Sequence, residues 1–391
     1  MCRVAYHNAT EVCRAAGKTG FDDIASGRYG QAISKALWPK PIMNLKQLSH
    51  TLGLSQTTVS RALNGYPEVA EATRQRVQQA AAKYSYRPNT RARGLATGRA
   101  MAVGHVIPVS SRHEIVNPVF ADFIAGAGEA YLKHGLDMVI SVVPDDAEER
   151  AYRELASKGS VDGIIVHGPR IQDTRIALLQ DIGLPFVVHG RASGQAEKYD
   201  WVDVNNRRAF QRATEFLIDL GHGRIALING LETMDFASRR MDGYRQGLVS
   251  RGLAPDQALI RSDEMTETFG YDSARQMLTL AEPPTAFLSS SIITTLGIRR
   301  AIEEAGLRLA RDISVITHDD DLSYLRNGGD VPTFTATRSS VRLAGRLCAE
   351  RLIAIIADPD LPPQQHLLEA ALTVGQSTGP APEPAARVSL G

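Results

Sequence analysis

The side chains best placed to do chemistry in this sequence cluster near residue 60. Gln56, Thr57 and Arg61 fall on one side of a helix-length segment, Gln56 to Leu63, whose Val59 and Leu63 turn inward. Such a row suits the edges of nucleic-acid bases: Gln pairs bidentately with adenine, Arg with guanine, and Thr can touch a thymine methyl. A solvated face on a small helical bundle would show the same pattern, so charge has to separate the two. Residues 43–100 hold nine Lys and Arg against two acids, a net +7, and residues 1–42 a net +3, whereas 101–391 carry −9. A compact basic head on an acidic body points to a polyanion partner for the head alone.

A second cluster, His318-Asp-Asp-Asp321, holds residue types that bind divalent ions. Metal sites need ligands converging from several elements, and an acidic loop after a strand is more often solvated, so no metal is expected. No Gly-x-Ser-x-Gly elbow, phosphate-cradling loop or dinucleotide fingerprint follows any apolar run. Enzyme catalysis and a bound cofactor therefore lack support. Cys2, Cys13 and Cys348 form neither a disulfide framework nor a metal-ligand spacing, which suits a reducing compartment. With no run of eighteen apolar residues and no secretory start, the expected location is the cytoplasm.

These residues must be positioned by more than one core, because 391 residues exceed what a single core usually organises. Residues 1–42 show no sustained periodicity and read as a disordered extension, as the product of an upstream start codon chosen in error, or as a basic arm adding DNA affinity. Leu45, Leu48 and Leu52 repeat at helical spacing up to Gly53-Leu54; Ser55 can cap the next helix, and a third runs from about Glu71 to Tyr84, with Val77 and Ala81 inside and Pro88 beyond it. Helix, Gly-containing turn, helix is the arrangement that places a second helix in a major groove. Past Ala102, short apolar runs alternate with amphipathic helices: 103–107, 138–143, 164–166 and 186–188, then 225–228, 285–288 and 313–316. The expected fold is therefore an all-α helix-turn-helix head followed by an α/β core of two doubly wound parallel-sheet subdomains, with a cleft at the carboxyl ends of their strands. The Pro, Ala and Gly-rich tail, 377–391, reads as disordered.

The string Asn44-Leu-Lys-Gln-Leu48, then Gly53-Leu-Ser-Gln-Thr-Thr-Val-Ser-Arg-Ala-Leu-Asn64, Thr73-Arg74, Tyr86-Arg-Pro-Asn89 and Gly94-Leu-Ala-Thr-Gly98, closely resembles the lactose-repressor/galactose-repressor (LacI/GalR) family over about residues 43–377. The resemblance implies a head over 43–88, a hinge helix and linker over 89–100, and a periplasmic-binding-protein-like effector core over 101–376. Its N-subdomain would span about 101–204 and 338–363, and its C-subdomain about 205–334 and 364–376. Gln56 and Thr57 match the main base-reading positions, with Thr58, Ser60, Arg61 and Asn64 completing the head's DNA-contacting set. Asn89 would cap the hinge helix, Ala92 would face DNA, and Leu95 would wedge into the minor groove at a central C-G step, with Arg91 and Arg93 near phosphates. Ala70 departs from the family's usual capping Ser or Asn.

In the core, the resemblance implies that Arg240 clamps the effector with Asp319 as its partner, a fork and a carboxylate suited to adjacent sugar hydroxyls. Asn117, Phe120, Met265, Ser291 and Ser339, at other strand ends, are weaker candidates, Phe120 as a stacking surface. Ser291-Ile292 stands where the family usually has Asn-Asp, which removes a carboxylate and favours a larger saccharide. An α-glucoside fits, since head and core are similar to rhizobial α-glucoside-operon regulators. Together these readings imply a homodimeric repressor on a pseudo-palindromic operator, with a saccharide in the core changing operator affinity. The tail has no leucine heptad that would build a tetramer.

Overall fold

The computed structural model describes residues 43–63, 65–84, 86, 98–108, 118–195 and 198–383. Asn64, Asn89, Ala92, Leu95 and Asn117 lie outside the described residues, as do Arg87, Arg91 and Arg93. Two compact units divide the chain in the early nineties.

The first unit is a three-helix head, α1 (Leu45–Leu52), α2 (Gln56–Leu63) and α3 (Glu71–Lys83). Asn44 opens α1 with a capping box, its side chain accepting from Gln47 N while the Gln47 side chain accepts from Asn44 N. Gly53 closes α1 at φ 65°, a left-handed conformation that glycine adopts without strain. Ser55 Oγ accepts from Thr58 N at 3.0 Å and so satisfies an orphan donor at the start of α2. Leu48, Val59 and Val77, all fully buried, join Leu52, Ala62, Val69 and Ala81 in the head's small core.

The second unit holds two sheets of six strands each among the described residues. The first has the order β11-β5-β4-β3-β1-β2, with β1 Ala102–Pro108, β2 Asp137–Val143, β3 Gly163–His167, β4 Phe186–His189, β5 Trp201–Val204 and β11 Gln365–Leu368. The second has the order β12-β10-β9-β8-β6-β7, with β6 Ile225–Asn229, β7 Ile260–Ser262, β8 Ala286–Ser289, β9 Ser314–Asp319, β10 Thr335–Arg338 and β12 Ala371–Thr373. All pairings are parallel except β10 with β12. Helices α4 (Pro118–His134), α5 (Glu148–Ser157), α6 (Thr174–Ile182) and α11 (Val341–Ala357) cover the first sheet. The second is covered by α7 (Asn206–Asp219), α8 (Asp235–Ser250), α9 (Glu267–Leu278) and α10 (Ile292–Glu304). Runs such as Gly163–His167 are buried along their whole length, as a strand covered on both faces must be.

The chain crosses between sheets three times: from β5 into α7, from β10 into α11, and from β11 to β12. This corrects the expected C-subdomain segment 364–376, because β11 pairs with β5 in the first sheet and only β12 belongs to the second. The tail also departs from expectation at its start. Ser377 is fully buried, donating through Oγ to Val315 O and accepting from Thr335 N, and Gly379 N donates to Ser314 Oγ. The backbone groups of this Pro and Gly-rich stretch thus find partners on β9 and β10, a reward that composition does not reveal.

Candidate functional site

In the head, the capped N-terminus of α2 and the packing of Val59 and Ala62 leave Gln56, Thr57 and Arg61 exposed on one face. Thr58 is half-buried and its hydroxyl shares a 2.8 Å hydrogen bond with Ser55, so it braces the turn. Ser60 is half-buried. Arg76 Nη2 donates to Leu52 O at 2.6 Å and Arg74 Nη2 to Tyr66 O at 3.0 Å, so two of the head's cations tie its turns together.

In the second unit, a cleft of about 420 Å³ opens between the two sheets at their carboxyl ends. Arg240, on α8, is its central charge. The side chain is only 5 % exposed, and its guanidinium lies between the rings of Phe210 and Phe236, 5.1 and 4.9 Å from their centroids. Nε donates to Asn206 Oδ1 at 2.8 Å and Nη1 to Ser290 O at 2.6 Å. Burial pushes its pKa down to about 10, which still leaves it charged at neutral pH. Asn206 donates in turn to Val204 O and to Asp203, whose carboxylate accepts from Arg191 Nε at 2.7 Å. Burial raises the Asp203 carboxyl to about 6 against the pull of Arg191. A continuous polar chain therefore runs from α8 across the β5 to α7 crossover to the first subdomain.

The N-subdomain wall combines Phe120, Phe123, His167 and His189. Burial lowers the pKa of both imidazoles, that of His189 to about 4, so both are neutral at pH 7. Opposite them stand His318, hydrogen-bonded to Thr337, and Asp320, 3.4 Å from His318 Nε2. Facing imidazole and guanidinium lowers the pKa of Asp320 despite its burial.

Of the expected effector residues, Arg240, Phe120, Met265 and Ser339 line the cleft. Asp319 does not: its Oδ1 accepts from Asp321 N at 2.9 Å, at the end of β9, and the next residue, Asp320, takes the wall. Ser291 is displaced likewise. Its hydroxyl caps α10 by accepting from Ile293 N, and Ser290 faces the cleft instead. Both offsets have one cause, because neighbouring residues at a strand end point to opposite sides and a one-position alignment cannot see which faces the ligand. The His318–Asp321 run disperses for the same reason, Asp321 pairing with Arg338. Sequence reading missed Arg191, Asp203, Asn206, His167 and His189. A signal existed: Ile164-Ile-Val-His-Gly168 and Phe186-Val-Val-His-Gly190 each put His then Gly after an apolar run, where a parallel strand ends.

The rim is latched on one side. Arg170 and Met234 form an isolated antiparallel bridge, Ile171 N donates to Thr233 O and Asp235 N to Pro169 O. Ser193 N donates to Asp235 Oδ2 at 2.6 Å, and Arg239 holds both Asp235 and the Ser193 hydroxyl. No helix among the described residues is long and apolar enough to cross a membrane.

Comparison with known proteins agrees with this architecture. The model of bacterial regulatory proteins of the lacI family matches residues 45–89, and that of a periplasmic binding protein-like domain matches 214–378. The HTH-type transcriptional regulator AglR of Rhizobium meliloti is 46 % identical over 341 residues, 87 % of this chain and 96 % of that protein. The structure of the lac repressor dimer bound to operator and the anti-inducer ONPF superposes with a TM-score of 0.73 at 25 % identity, over 87 % of this chain and 99 % of that one. A complex of the regulator CelR with cellobiose gives 0.64 at 28 % identity, over 86 % and 99 %. An exposed polar face on a capped second helix, two parallel-sheet subdomains and this extent of identity have one common explanation: the chain belongs to the lacI family of bacterial DNA-binding transcriptional regulators.

Proposed function

We propose that this regulator is a cytoplasmic homodimeric repressor of a sugar-utilisation operon, released from a pseudo-palindromic operator when an uncharged saccharide of at least two rings fills the core cleft. The observation that carries the reading is Arg240, held between Phe210 and Phe236 with only Nε and Nη1 hydrogen-bonded among the described residues, so that the rest of the fork can serve a ligand. Asp320, Asn206 and Ser339 complete a polar ring, and Phe120 and Met265 supply apolar surface for a sugar ring. Arg191 is paired with Asp203 and Arg175 with Glu148, and the lining's five carboxylates against four arginines disfavour a phosphorylated sugar. A volume of about 420 Å³ is generous for one pyranose, and the CelR relative holds a disaccharide.

On the DNA side, Gln56, Thr57 and Arg61 read base edges, while Leu95, outside the described residues, enters the central minor groove. The lac repressor relative is a dimer on its operator. Fluorescence anisotropy of the chain on DNA from its own upstream region, with a panel of mono- and disaccharides, tests the whole reading. Salt-sensitive binding weakened by one disaccharide supports it, with Arg61→Ala reducing specific over scrambled binding by at least tenfold. Equal affinity for scrambled DNA would overturn it.

A further inference from the structure

The N-subdomain wall ends in a chain of three rings that lead away from the cleft. His105, in the middle of β1, is fully buried; its Nδ1 lies 2.9 Å from His167 Nε2 and its Nε2 lies 3.1 Å from the hydroxyl of Tyr131 on α4. The two imidazoles are stacked, with centroids 5.2 Å apart and planes at 24°. Phe120 and Phe123 meet His167 edge-on at 5.2 and 4.8 Å, so its ring cannot flip without displacing them. His167 itself is only 8 % exposed. Its remaining nitrogen, Nδ1, takes no hydrogen bond among the described residues, yet it is not a sealed, orphaned atom, and His167 lines the cleft.

Proton bookkeeping sets the sense of this chain. A neutral imidazole carries one N–H, and burial holds both histidines neutral. The Tyr131 hydroxyl is buried and has no second hydrogen bond among the described residues, so its proton must go to His105 Nε2. His105 is then protonated on Nδ1 and donates to His167 Nε2, which places the single proton of His167 on Nδ1. The opposite sense would strand the phenolic proton in the core without an acceptor.

We propose that Tyr131 and His105 act as positioning residues which lock His167 in one tautomer, so that the cleft wall presents a fixed, uncharged N–H donor to a lone pair of the ligand, an ether or hydroxyl oxygen. A free imidazole could present either a donor or an acceptor; this one cannot accept a hydroxyl proton. With Arg240 also a donor and Asp320 an acceptor on the opposite wall, the cleft distinguishes the two faces of a sugar. The ligand's chemistry rests on the saccharide reading above, whereas the tautomer does not.

The test reads the tautomer directly, in the full chain and without ligand. Nitrogen-15 NMR of histidine-labelled protein separates protonated from bare ring nitrogens, and single His105→Gln and His167→Asn variants assign the signals. Both residues should be Nδ1–H at pH 7. Tyr131→Phe, which keeps the ring in its core site, should move the resonance of His105 Nε2, a bare nitrogen that loses the hydroxyl donating to it. A wild-type His167 in the Nε2–H or doubly protonated form would overturn the proposal, as would an unmoved His105 Nε2 resonance in Tyr131→Phe. A chain that bound no saccharide would still give either answer, so failure of the relay and failure of the saccharide reading are told apart.

Discussion

Arg240 shows how one residue's environment sets what it can do. A guanidinium clamped by two rings and tied by two of its donors loses little further freedom when a ligand binds, and it holds its remaining N–H groups at a fixed angle. Lysine keeps the charge but not the fork. Arg240→Lys is therefore expected to weaken effector binding by ten to a hundredfold, about 1.4 to 3 kcal/mol, while leaving operator affinity within twofold. Titration calorimetry for the saccharide and anisotropy for DNA would check the two halves, and unchanged saccharide affinity would remove Arg240 from the site. Arg240 was legible from its place in the motif around Arg-Met-Asp-Gly-Tyr244. Its rings were not, since Phe210 and Phe236 arrive from α7 and the start of α8, thirty and four residues upstream.

Among the elements, the head's helices follow closely from local chemistry, because their signals are caps and short-range spacing. Asn44, Gly53 and Ser55 each mark a boundary where an orphan backbone group needs a partner. Within the head, α3 starts without such a cap, since Ala70 precedes it with no side-chain hydrogen bond. Ala70→Ser should supply it, raising head stability by about 1 kcal/mol without changing operator specificity, as followed by protease protection of the full chain. The strands were less evenly visible. Apolar runs such as Ile164–Val166 stood out, but β5, β7, β10, β11 and β12 did not, because their polar members leave no such run. Helix pairing was equally hidden. Gly126 on α4 and Gly345 on α11 let the two helices touch so closely that an added Cβ would come within 2.0 Å of Arg342 O and 2.2 Å of Phe123 O.

At the scale of the whole molecule, stability is coupled to pH by the buried imidazoles. His105 and His189 are held at about 4, below the ordinary value of about 6.5, and His167 is also held well below that value, in each case chiefly because burial disfavours the charged ring. The unfolded chain binds these protons first, so stability is full above about pH 6.5 and falls as pH drops toward 4. At pH 5 His105 and His189 each cost about 2 kcal/mol. Asp203, raised to about 6, acts in the opposite sense, its penalty easing below that pH, but one carboxyl offsets only part of three imidazoles. Denaturant unfolding of the core at pH 7 and 5 should therefore show a loss of several kcal/mol, and equal stability would contradict the buried neutral assignment. The sequence alone determined what depends on neighbours within a turn or two: the head, the basic polarity of its exposed helix, the two sets of βαβ units and the absence of a catalytic motif. Tertiary structure decided what depends on which side of a strand end faces the cleft and on partners far along the chain. It placed Asp320 and Ser290 on the wall in place of Asp319 and Ser291, brought His105 to His167 from 62 residues away, and folded Ser377 into β9 and β10. Spacing constrains a helix because its contacts are four residues apart; a cleft assembled from three crossovers has no such period to read.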